Sequence, residues 1–180
     1  MLYLAGKRDF CFEDTCVTLG KFDGIHRGHE LLLERMSDTD GLARVVFTFA
    51  LSDSKLLLGE GTDLIFTEEE RRNYIEDGDK ADILISYPFD RATRDMDAEA
   101  FIRDVIVRRL GAKAVVVGTD FRFGREAKGD VELLKSFAGK YGYRLVVCEK
   151  VRQDGVEISS SLIRQEIKKN NMERAALLLG

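Results

Sequence analysis

The 180-residue sequence is poor in the features that mark secreted, membrane and zinc-binding proteins. Its three cysteines, Cys11, Cys16 and Cys148, are an odd number without zinc-site spacing, so we expect free thiols in the reducing cytoplasm. No apolar run approaches the ~20 residues of a membrane span. Lys7 and Arg8 follow the N-terminus too closely for a signal-peptide core. We therefore expect a cytoplasmic protein that does not associate with a membrane.

The sequence also lacks an excess of positive charge. It has 28 Lys and Arg residues against 32 Asp and Glu residues, with a net charge of −4 and a pI of about 5.4. A protein that coats nucleic acid needs a basic surface to displace counterions, so we expect no nucleic-acid partner. A local basic pocket for a small phosphate ligand is compatible with this charge. Apolar residues make up 44% of the chain, and we expect residues 1–180 to form a single domain, long enough to build a full hydrophobic core.

Strand and helix patterns alternate along the sequence. Amphipathic segments of helical spacing separate the runs typical of strands, which lie at 16–20, 43–49, 82–87, 114–118 and 144–151. This alternation predicts the α/β class, with a mainly parallel sheet and helices on both faces. The Asp154-Gly155 turn predicts a small antiparallel element late in the chain.

Capping residues and loops complete this prediction. Thr67 and Glu70 form a capping box, and Asp97 is expected to begin an α-helix with apolar residues at 3–4 residue spacing. The longest stretches without a pattern are 50–64 and 119–129, and such loops often carry function. We interpret the charged runs as solvated faces, at 68–72, 91–94 and 168–169.

Both histidines of the chain lie in one segment, GKFDGIHRGH, from Gly20 to His29. It joins a strand to a helix, where Gly20, Gly24 and Gly28 let the backbone approach a ligand. The helix N-terminus behind them offers free N–H groups to a phosphate, and the imidazoles of His26 and His29 would donate to a phosphoryl oxygen. The alternatives are a zinc pair or two surface histidines, but no third His or Cys stands nearby for zinc. The pattern favours a phosphate site.

Three consecutive serines, Ser159, Ser160 and Ser161, precede an amphipathic helix that contains Arg164. Any of them can act as an N-cap, which by itself explains one serine. Three hydroxyls with free N–H groups and a guanidinium also resemble a second anion site. Both interpretations remain open at this point.

The segment GTDFRFG, from Gly118 to Gly124, leaves the most apolar strand, where α/β sheets bind ligands. Phe121 and Phe123 would stack on a planar ring, and Asp120 would bond to its edge. The alternative, in which both rings anchor the loop on the core, agrees equally well with the sequence.

The three segments together resemble the prokaryotic FAD synthetases, which are bifunctional riboflavin kinase/FMN adenylyltransferases. GKFDGIHRGH is similar to their G-N-F-D-G-x-H-x-G-H motif, VVGTDFRFGREAKGD to their V-G-x-D-F-R-F-G segment with a following Gly-Asp, and VEISSSLIR to their (I/V)-S-S-T-x-I-R motif. The resemblance is to the N-terminal adenylyltransferase module and covers essentially the whole chain. It implies a Rossmann-like nucleotidyltransferase fold.

The resemblance also implies a reaction, in which AMP is transferred from ATP to FMN to give FAD and pyrophosphate. FMN is then a substrate, FAD is the product, and Mg²⁺ accompanies ATP without a metal site on the protein. The FMN phosphate attacks the α-phosphorus of ATP in line, so catalysis consists of positioning and charge stabilisation.

The resemblance assigns three groups of site residues. Those that bind the ATP phosphates and stabilise the transition state are His26, His29, Ser160, Ser161 and Arg164. Those that form the remainder of the ATP site are Gly20, Phe22, Asp23, Gly24, Gly28, Gly118 and Ser159. Those on the flavin side are Thr48, Asp120, Phe121, Phe123 and Gly124.

This sequence departs from the family pattern at three places. Lys21 replaces an Asn and adds a positive charge, and Ser161 replaces a Thr but keeps its hydroxyl. The third departure concerns a loop near the substrates, where the family has Pro-His-Pro. In this sequence the corresponding residues are Ala50, Leu51, Ser52 and Asp53. This change affects the expectation for FMN binding and activity.

The sequence reaches Gly180 about where the riboflavin kinase module of the family begins. We expect no kinase activity from these residues, with the kinase module separate or lost. Two alternative functions remain. One is a nucleotidyltransferase with a different small phosphorylated acceptor, such as a cytidylyltransferase, against which the GTDFRFG segment argues. The other is a non-catalytic nucleotide- or flavin-binding relative, which the altered loop at 50–53 favours.

Overall fold

The computed structural model describes residues 1–39, 41–50 and 64–180. Its main strands are Leu2–Ala5 (β1), Thr15–Leu19 (β2), Ala43–Phe49 (β3), Ile83–Tyr87 (β4), Ala112–Gly118 (β5) and Arg144–Cys148 (β6). Within the described residues these six strands form one sheet in the order β1-β4-β3-β2-β5-β6, and all neighbouring pairs are parallel. The mainly parallel sheet expected from the sequence is confirmed.

Helices cover both faces of this sheet, as expected. They are Arg27–Ser37 (α1), Glu68–Asp77 (α2), Arg91–Arg94 (α3), Ala98–Ala100 (α4, which continues as a π-helix over Phe101–Arg109), Val131–Tyr141 (α5), Ser160–Lys168 (α6) and Met172–Leu179 (α7). Side chains alternate along each strand, so Val17 and Leu19 share a core with the π-helix and α5, whereas Cys16 shares one with α1 and α2. In the part of the chain that the structure describes, no helix has the length and apolar character needed to cross a membrane.

The predicted antiparallel element is confirmed. Arg152–Gln153 (β7) and Val156–Glu157 (β8) pair in an antiparallel hairpin. Asp154 and Gly155 connect them with φ angles of 53° and 79°, as the favoured two-residue hairpin turn requires. Beside this hairpin, α6 and α7 close a small apolar core of Ile158, Ile163, Ala175 and Leu178.

Two elements differ from the sequence prediction. Asp97 caps the helix that it was expected to begin, but residues 101–109 are π-helical, and the Leu110 N–H donates to the Val105 carbonyl. Apolar residues at 3–4 residue spacing face the sheet in either helix type, so this spacing does not distinguish the two. β1 escaped prediction because it has four residues and its two outer positions are exposed.

The interpretation of the charged run 68–72 as a solvated face is wrong. The capping box of Thr67 and Glu70 is confirmed, but Arg71 in the run 68–72 is only 1% exposed. Its cationic head lies beneath the ends of β3 and β4, where it bonds to Phe49 and Ser86. A charge pattern in sequence does not reveal that one member of a helix turn points inward.

We predict opposite effects of alanine at Gly111 and Gly139. Gly111 has a φ of +59°, and an added Cβ would lie 2.1 Å from the Phe12 carbonyl oxygen. We expect Gly111→Ala to lower the free energy of unfolding by about 1–3 kcal/mol or more. In α5, a Cβ at Gly139 would meet no neighbouring group within 4 Å. Gly139→Ala should therefore raise the free energy of unfolding by about 1 kcal/mol. Urea denaturation measures both changes, and changes of the same sign would contradict the prediction.

Candidate active site

The candidate site lies where the order of the strands reverses. β3 lies on one side of β2 and β5 lies on the other, so the loops that follow β2 and β5 diverge and leave a crevice at the carboxyl end of the sheet. The GKFDGIHRGH segment follows β2, and the GTDFRFG segment follows β5. The fold therefore brings together two motifs that are far apart in the sequence.

A cavity of about 570 Å³, here called the histidine cavity, occupies this crevice. Its walls come from the loop after β2, the start of α1, the segments that follow β5 and β6, and the start of α6. All three sequence motifs contribute to it. The predicted site residues in its lining are Gly20, Asp23, His26, Gly28, His29, Gly118, Asp120, Phe121, Ser159, Ser160, Ser161 and Arg164.

The two histidine rings form a stacked pair. Their centroids are 3.9 Å apart and their planes differ by 18°. His26 is the N-cap of α1, and its Nδ1 accepts hydrogen bonds from the N–H groups of Gly28 (3.1 Å) and His29 (3.3 Å). The imidazole therefore occupies the position that Ser or Asp usually has in a helix cap.

This cap corrects one expectation from the sequence. The N–H groups at the start of α1 were expected to be free for a phosphate, but two of them already donate to His26. An anion in the cavity would meet the imidazoles instead of these two amides. Helix periodicity does not show which side chain caps a helix, and histidine is an uncommon cap.

Burial sets the charge of both rings. It lowers the pKa of His26 to about 4. Burial, with the adjacent His26, lowers the pKa of His29 to about 3. Both rings are therefore neutral at pH 7. Because Nδ1 of His26 accepts hydrogen bonds, its proton is on Nε2, and this N–H is the donor of the ring.

Phe22 and Gly24 shape the cavity from behind its wall. Phe22 has a φ of 49°, which is a strained conformation for an aromatic residue. Its ring is fully buried and lies 4.7 Å from that of His29. Gly24 has a φ of +65°, and an added Cβ would lie 2.5 Å from the side chain of Ile65. Both residues fix the course of the loop and lie outside the cavity lining.

Asp23 joins three segments at the cavity. Its carboxylate is 3% exposed. One oxygen accepts hydrogen bonds from the N–H groups of Ile65 (2.9 Å) and Phe66 (3.3 Å), and the other pairs with Arg164 at 2.5 Å. The backbone carbonyl of Asp23 accepts the hydroxyl of Ser160 at 2.8 Å. The loop after β2 is thereby attached to α6.

The three serines have different environments. Ser159 is the N-cap of α6, and its Oγ accepts the N–H of Leu162 at 3.2 Å. Ser160 bonds to Asp23, and Ser161 is exposed at the cavity. The capping interpretation therefore accounts for one serine, and the other two lie where an anion site was expected. Arg164 lines the same cavity while it pairs with Asp23.

A second cavity of about 890 Å³ adjoins the first, and we call it the aromatic cavity. The two cavities share Leu19, Gly20, Lys21, Asp120 and Phe121. The lining of the aromatic cavity is rich in phenylalanine, with Phe47, Phe49, Phe89, Phe101, Phe121 and Phe123. Its shape and apolar walls suit a flat, largely apolar ligand.

Phe121 and Phe123 combine the two interpretations that the sequence left open. Their rings stack at 5.4 Å. Phe123 is 8% exposed and packs on Phe101 at 5.6 Å, so it anchors the loop on the core. Phe121 is half-buried and faces both cavities. Gly124 has a φ of +72° and lies against Ala98, so a Cβ there would clash with the α4 backbone.

The FAD synthetase family model matches residues 10–162. This range contains the first two motifs of the site and the three serines of the third, and it ends two residues before Arg164. The chain belongs to the FAD synthetase family.

Sequence relatives of this family share its N-terminal part. The bifunctional riboflavin kinase/FMN adenylyltransferase of Escherichia coli (strain K12) is 33% identical over 174 residues, which cover 93% of this chain and 55% of the relative. The protein of that name from Buchnera aphidicola subsp. Acyrthosiphon pisum is 28% identical over 170 residues, with coverage of 93% and 54%. The chain spans about half the length of these curated relatives.

Solved structures share the Rossmann-like fold that the sequence predicts. A Streptococcus pneumoniae structure described as a macrolide-efflux protein has a TM-score of 0.84 and 28% identity, and the match covers 99% of this chain and 61% of that one. Pantoate–β-alanine ligase from Francisella tularensis has a TM-score of 0.55 and 12% identity, with coverage of 96% and 77%, and shares the fold alone.

Thr48 lies outside both cavity linings. It is fully buried, and its Oγ1 donates to the carbonyl of Lys21 at 2.9 Å. Arg71 donates to the same carbonyl at 3.1 Å and to the Thr48 hydroxyl at 3.2 Å. Thr48 therefore connects to the site through the backbone carbonyl of Lys21, and its assignment to the flavin side stays a prediction. The departure at 50–53 falls largely outside the described residues, which include only Ala50.

Sequence reasoning missed most of the aromatic wall. Phe47 and Phe49 end β3, and Phe89 follows β4. The sequence feature that could have predicted this wall is the high density of phenylalanine where two adjacent strands end. Arg94, in a run interpreted as solvated, also lines this cavity. Lys150 was missed at the histidine cavity, where it forms an ion pair with Asp120 at 3.2 Å.

We predict that the histidine pair makes this chain less stable in acid. Below its unfolded pKa of about 6.5, each histidine binds a proton in the unfolded chain but stays neutral in the folded one. Protons therefore favour unfolding, and stability falls as the pH drops from about 6.5 towards 4. Between pH 7 and pH 5 we expect a loss of roughly 2 kcal/mol per histidine.

The variant His26→Asn isolates this effect, because Asn keeps the helix cap but does not titrate. Its free energy of unfolding, measured in urea at pH 7 and pH 5, should fall by less than that of the unmodified chain. An equal fall in both proteins would show that His26 does not contribute.

Proposed function

We propose that this chain is an FMN adenylyltransferase, which forms FAD and pyrophosphate from FMN and ATP. The observation that carries the proposal is the junction of two unlike cavities at Gly20, Lys21, Asp120 and Phe121. One cavity has neutral imidazoles, hydroxyls and a guanidinium, which suit phosphates, and the other has phenylalanine walls, which suit a flavin ring. The family match and the names of the sequence relatives support the same reaction.

In this proposal the histidine cavity binds ATP. His26 and His29 donate to the α-phosphoryl group, and because both rings are neutral in the resting site they supply hydrogen bonds without a fixed charge. Ser160, Ser161 and Arg164, at the start of α6, face the β- and γ-phosphates. Three glycines let the nucleotide approach the backbone. With Asp23 and Ser159 they complete this ATP site, and they are Gly20, Gly28 and Gly118.

The reaction needs no protein nucleophile. An oxygen of the FMN phosphate forms a bond to the α-phosphorus of ATP, while the bond from that phosphorus to the bridging oxygen of pyrophosphate breaks. The negative charge that leaves with pyrophosphate moves towards Arg164 and the serines. The protein contributes by aligning the two phosphates across the junction and by donating hydrogen bonds to the charge that develops there.

The flavin ring would occupy the aromatic cavity, with its phosphate directed to the junction. Phe121 lies between the two cavities and would contact both substrates. Gly124 keeps the loop close to Ala98 and leaves room for the ring. Asp120 lies at the edge, where Lys150 pairs with it, and would contact the flavin side.

In this proposal Mg²⁺ is a companion of the nucleotide. It would bind the ATP phosphates and offset their charge. Among residues 1–39, 41–50 and 64–180, no group of three His, Cys, Asp or Glu side chains is arranged to hold a metal ion. The free thiols of Cys11, Cys16 and Cys148 support a cytoplasmic location for the reaction.

We predict that the chain, incubated with ATP, Mg²⁺ and FMN, produces FAD that can be measured by chromatography. His29→Ala should lower turnover by about 100-fold or more, since it removes a donor to the transition state. Glu34→Ala, on the exposed face of the same helix, is the matched control and should retain full turnover.

Two results would contradict this function. One is a folded chain that binds ATP or FAD but forms no product, as a non-catalytic relative would. The other is faster pyrophosphate release with CTP than with ATP, or with another phosphorylated acceptor than with FMN.

We also predict that substitutions in the two cavities separate the KM values of the two substrates. Phe89 lines only the aromatic cavity and packs on Phe49 at 4.9 Å, so Phe89→Leu should raise the KM for FMN about tenfold. Arg164→Lys, which loses the planar guanidinium, should raise the KM for ATP by about tenfold or more. Steady-state kinetics with each substrate varied in turn measures both. The assignment of the cavities is wrong if the two variants affect the opposite substrates.

A further inference from the structure

Arg71 is the largest of the fully buried side chains in the described part of the chain, with 1% exposure. It lies in the first turn of α2, beneath the carboxyl ends of three adjacent strands. Its guanidinium donates to the Lys21 carbonyl after β2 (3.1 Å), to the Thr48 hydroxyl of β3 (3.2 Å) and to the Phe49 carbonyl (3.4 Å). Arg71 lines neither cavity.

The environment of Arg71 holds this cation in place. Glu68, one turn earlier in α2, forms an ion pair with it at 3.3 Å. The Glu68 carboxylate also accepts the hydroxyls of Tyr3 (3.1 Å) and Ser86 (3.0 Å). A buried cation of this kind adds little stability compared with an apolar side chain of similar size. Its value to the chain must therefore lie in the geometry that it imposes.

The contact with Lys21 leads to the histidines. The Lys21 carbonyl accepts from both Arg71 and the Thr48 hydroxyl, which fixes the peptide that enters Phe22. Phe22 has the strained φ of 49°, and such a conformation persists only where its surroundings hold it. The Phe22 ring then packs on His29 at 4.7 Å, and His29 stacks on His26 at 3.9 Å.

The contact with Phe49 leads to the aromatic cavity. The two terminal nitrogens of Arg71 lie 3.4 and 3.5 Å from the Phe49 carbonyl. The Phe49 ring packs edge-on against Phe47 at 5.7 Å and Phe89 at 4.9 Å, and all three rings line the cavity. One side chain therefore holds the backbone on both sides of the junction.

We infer that Arg71 is a positioning residue that sets the histidine pair and the aromatic wall relative to each other through the carbonyls of Lys21 and Phe49. The planar guanidinium reaches both carbonyls at once, whereas a lysine ammonium is a point donor that reaches only one of them. Only the kinetic consequence of this inference rests on the proposed function.

The test uses the fact that the chain has two histidines, so its imidazole NMR spectrum contains two ring systems. Each stacks on another aromatic ring, and its signals depend on that geometry. We expect Arg71→Lys to shift the signals of both histidines at pH 7. We also expect it to lower kcat for FAD formation about 10- to 100-fold, as misalignment of reacting groups does, and to raise the KM for FMN.

Two controls separate positioning from loss of stability or charge. Ile75→Val loosens the buried face of the same helix, and Arg72→Lys changes its exposed neighbour. Both should leave the histidine signals and kcat unchanged. If Arg71→Lys does not fold, Thr48→Val removes the second donor to the Lys21 carbonyl, and we expect it to shift the histidine signals in the same way.

Histidine signals that do not move in any folded variant of Arg71 or Thr48 would overturn the inference. The same holds if Ile75→Val shifts these signals as much as Arg71→Lys does. A chain that forms no FAD would overturn the proposed function instead, and the NMR comparison would still decide the role of Arg71.

Discussion

The ion pair between Asp23 and Arg164 is the contact on which the candidate site depends. Asp23 follows β2 and is almost fully buried, so its charge requires a partner. Arg164 supplies that partner from α6, far away in the sequence, and the other carboxylate oxygen binds the N–H groups of Ile65 and Phe66. Loss of the Arg164 partner would leave a buried carboxylate without a compensating charge, which is strongly destabilising. The walls of the histidine cavity are thus held together by the contacts that bury the Asp23 carboxylate.

The same principle operates beneath the aromatic cavity, where the buried charge has the opposite sign. Arg71 binds carbonyls and hydroxyls at the ends of adjacent strands, and burial lowers the pKa of its guanidinium while Glu68 opposes that shift. The imidazoles of His26 and His29, which line the histidine cavity, are neutral. The two ion pairs therefore balance the buried charges of Asp23 and Arg71, while the imidazoles offer uncharged hydrogen-bond donors to the cavity.

The sequence predicted most of the fold and much of the site. Alternating patterns gave the parallel sheet and its two helical layers, and the Asp154-Gly155 turn gave the hairpin. The three motifs do meet at one cavity. The predictions failed where one pattern fits two structures. Apolar spacing did not separate a π-helix from an α-helix after Ala100, and a run of charges did not reveal that Arg71 is buried.

What the sequence by itself determined was chemistry and local form: which segments are strands, where helices begin, and which motifs carry the groups that we propose for phosphate and flavin binding. Only the tertiary structure decided which of these groups face a ligand and which face each other. It directed Thr48 to the Lys21 carbonyl, Phe123 to the core and the first amides of α1 to His26. The physical reason is that a buried polar group without a hydrogen-bond partner is costly, and the available partners are set by contacts between segments that are distant in the sequence.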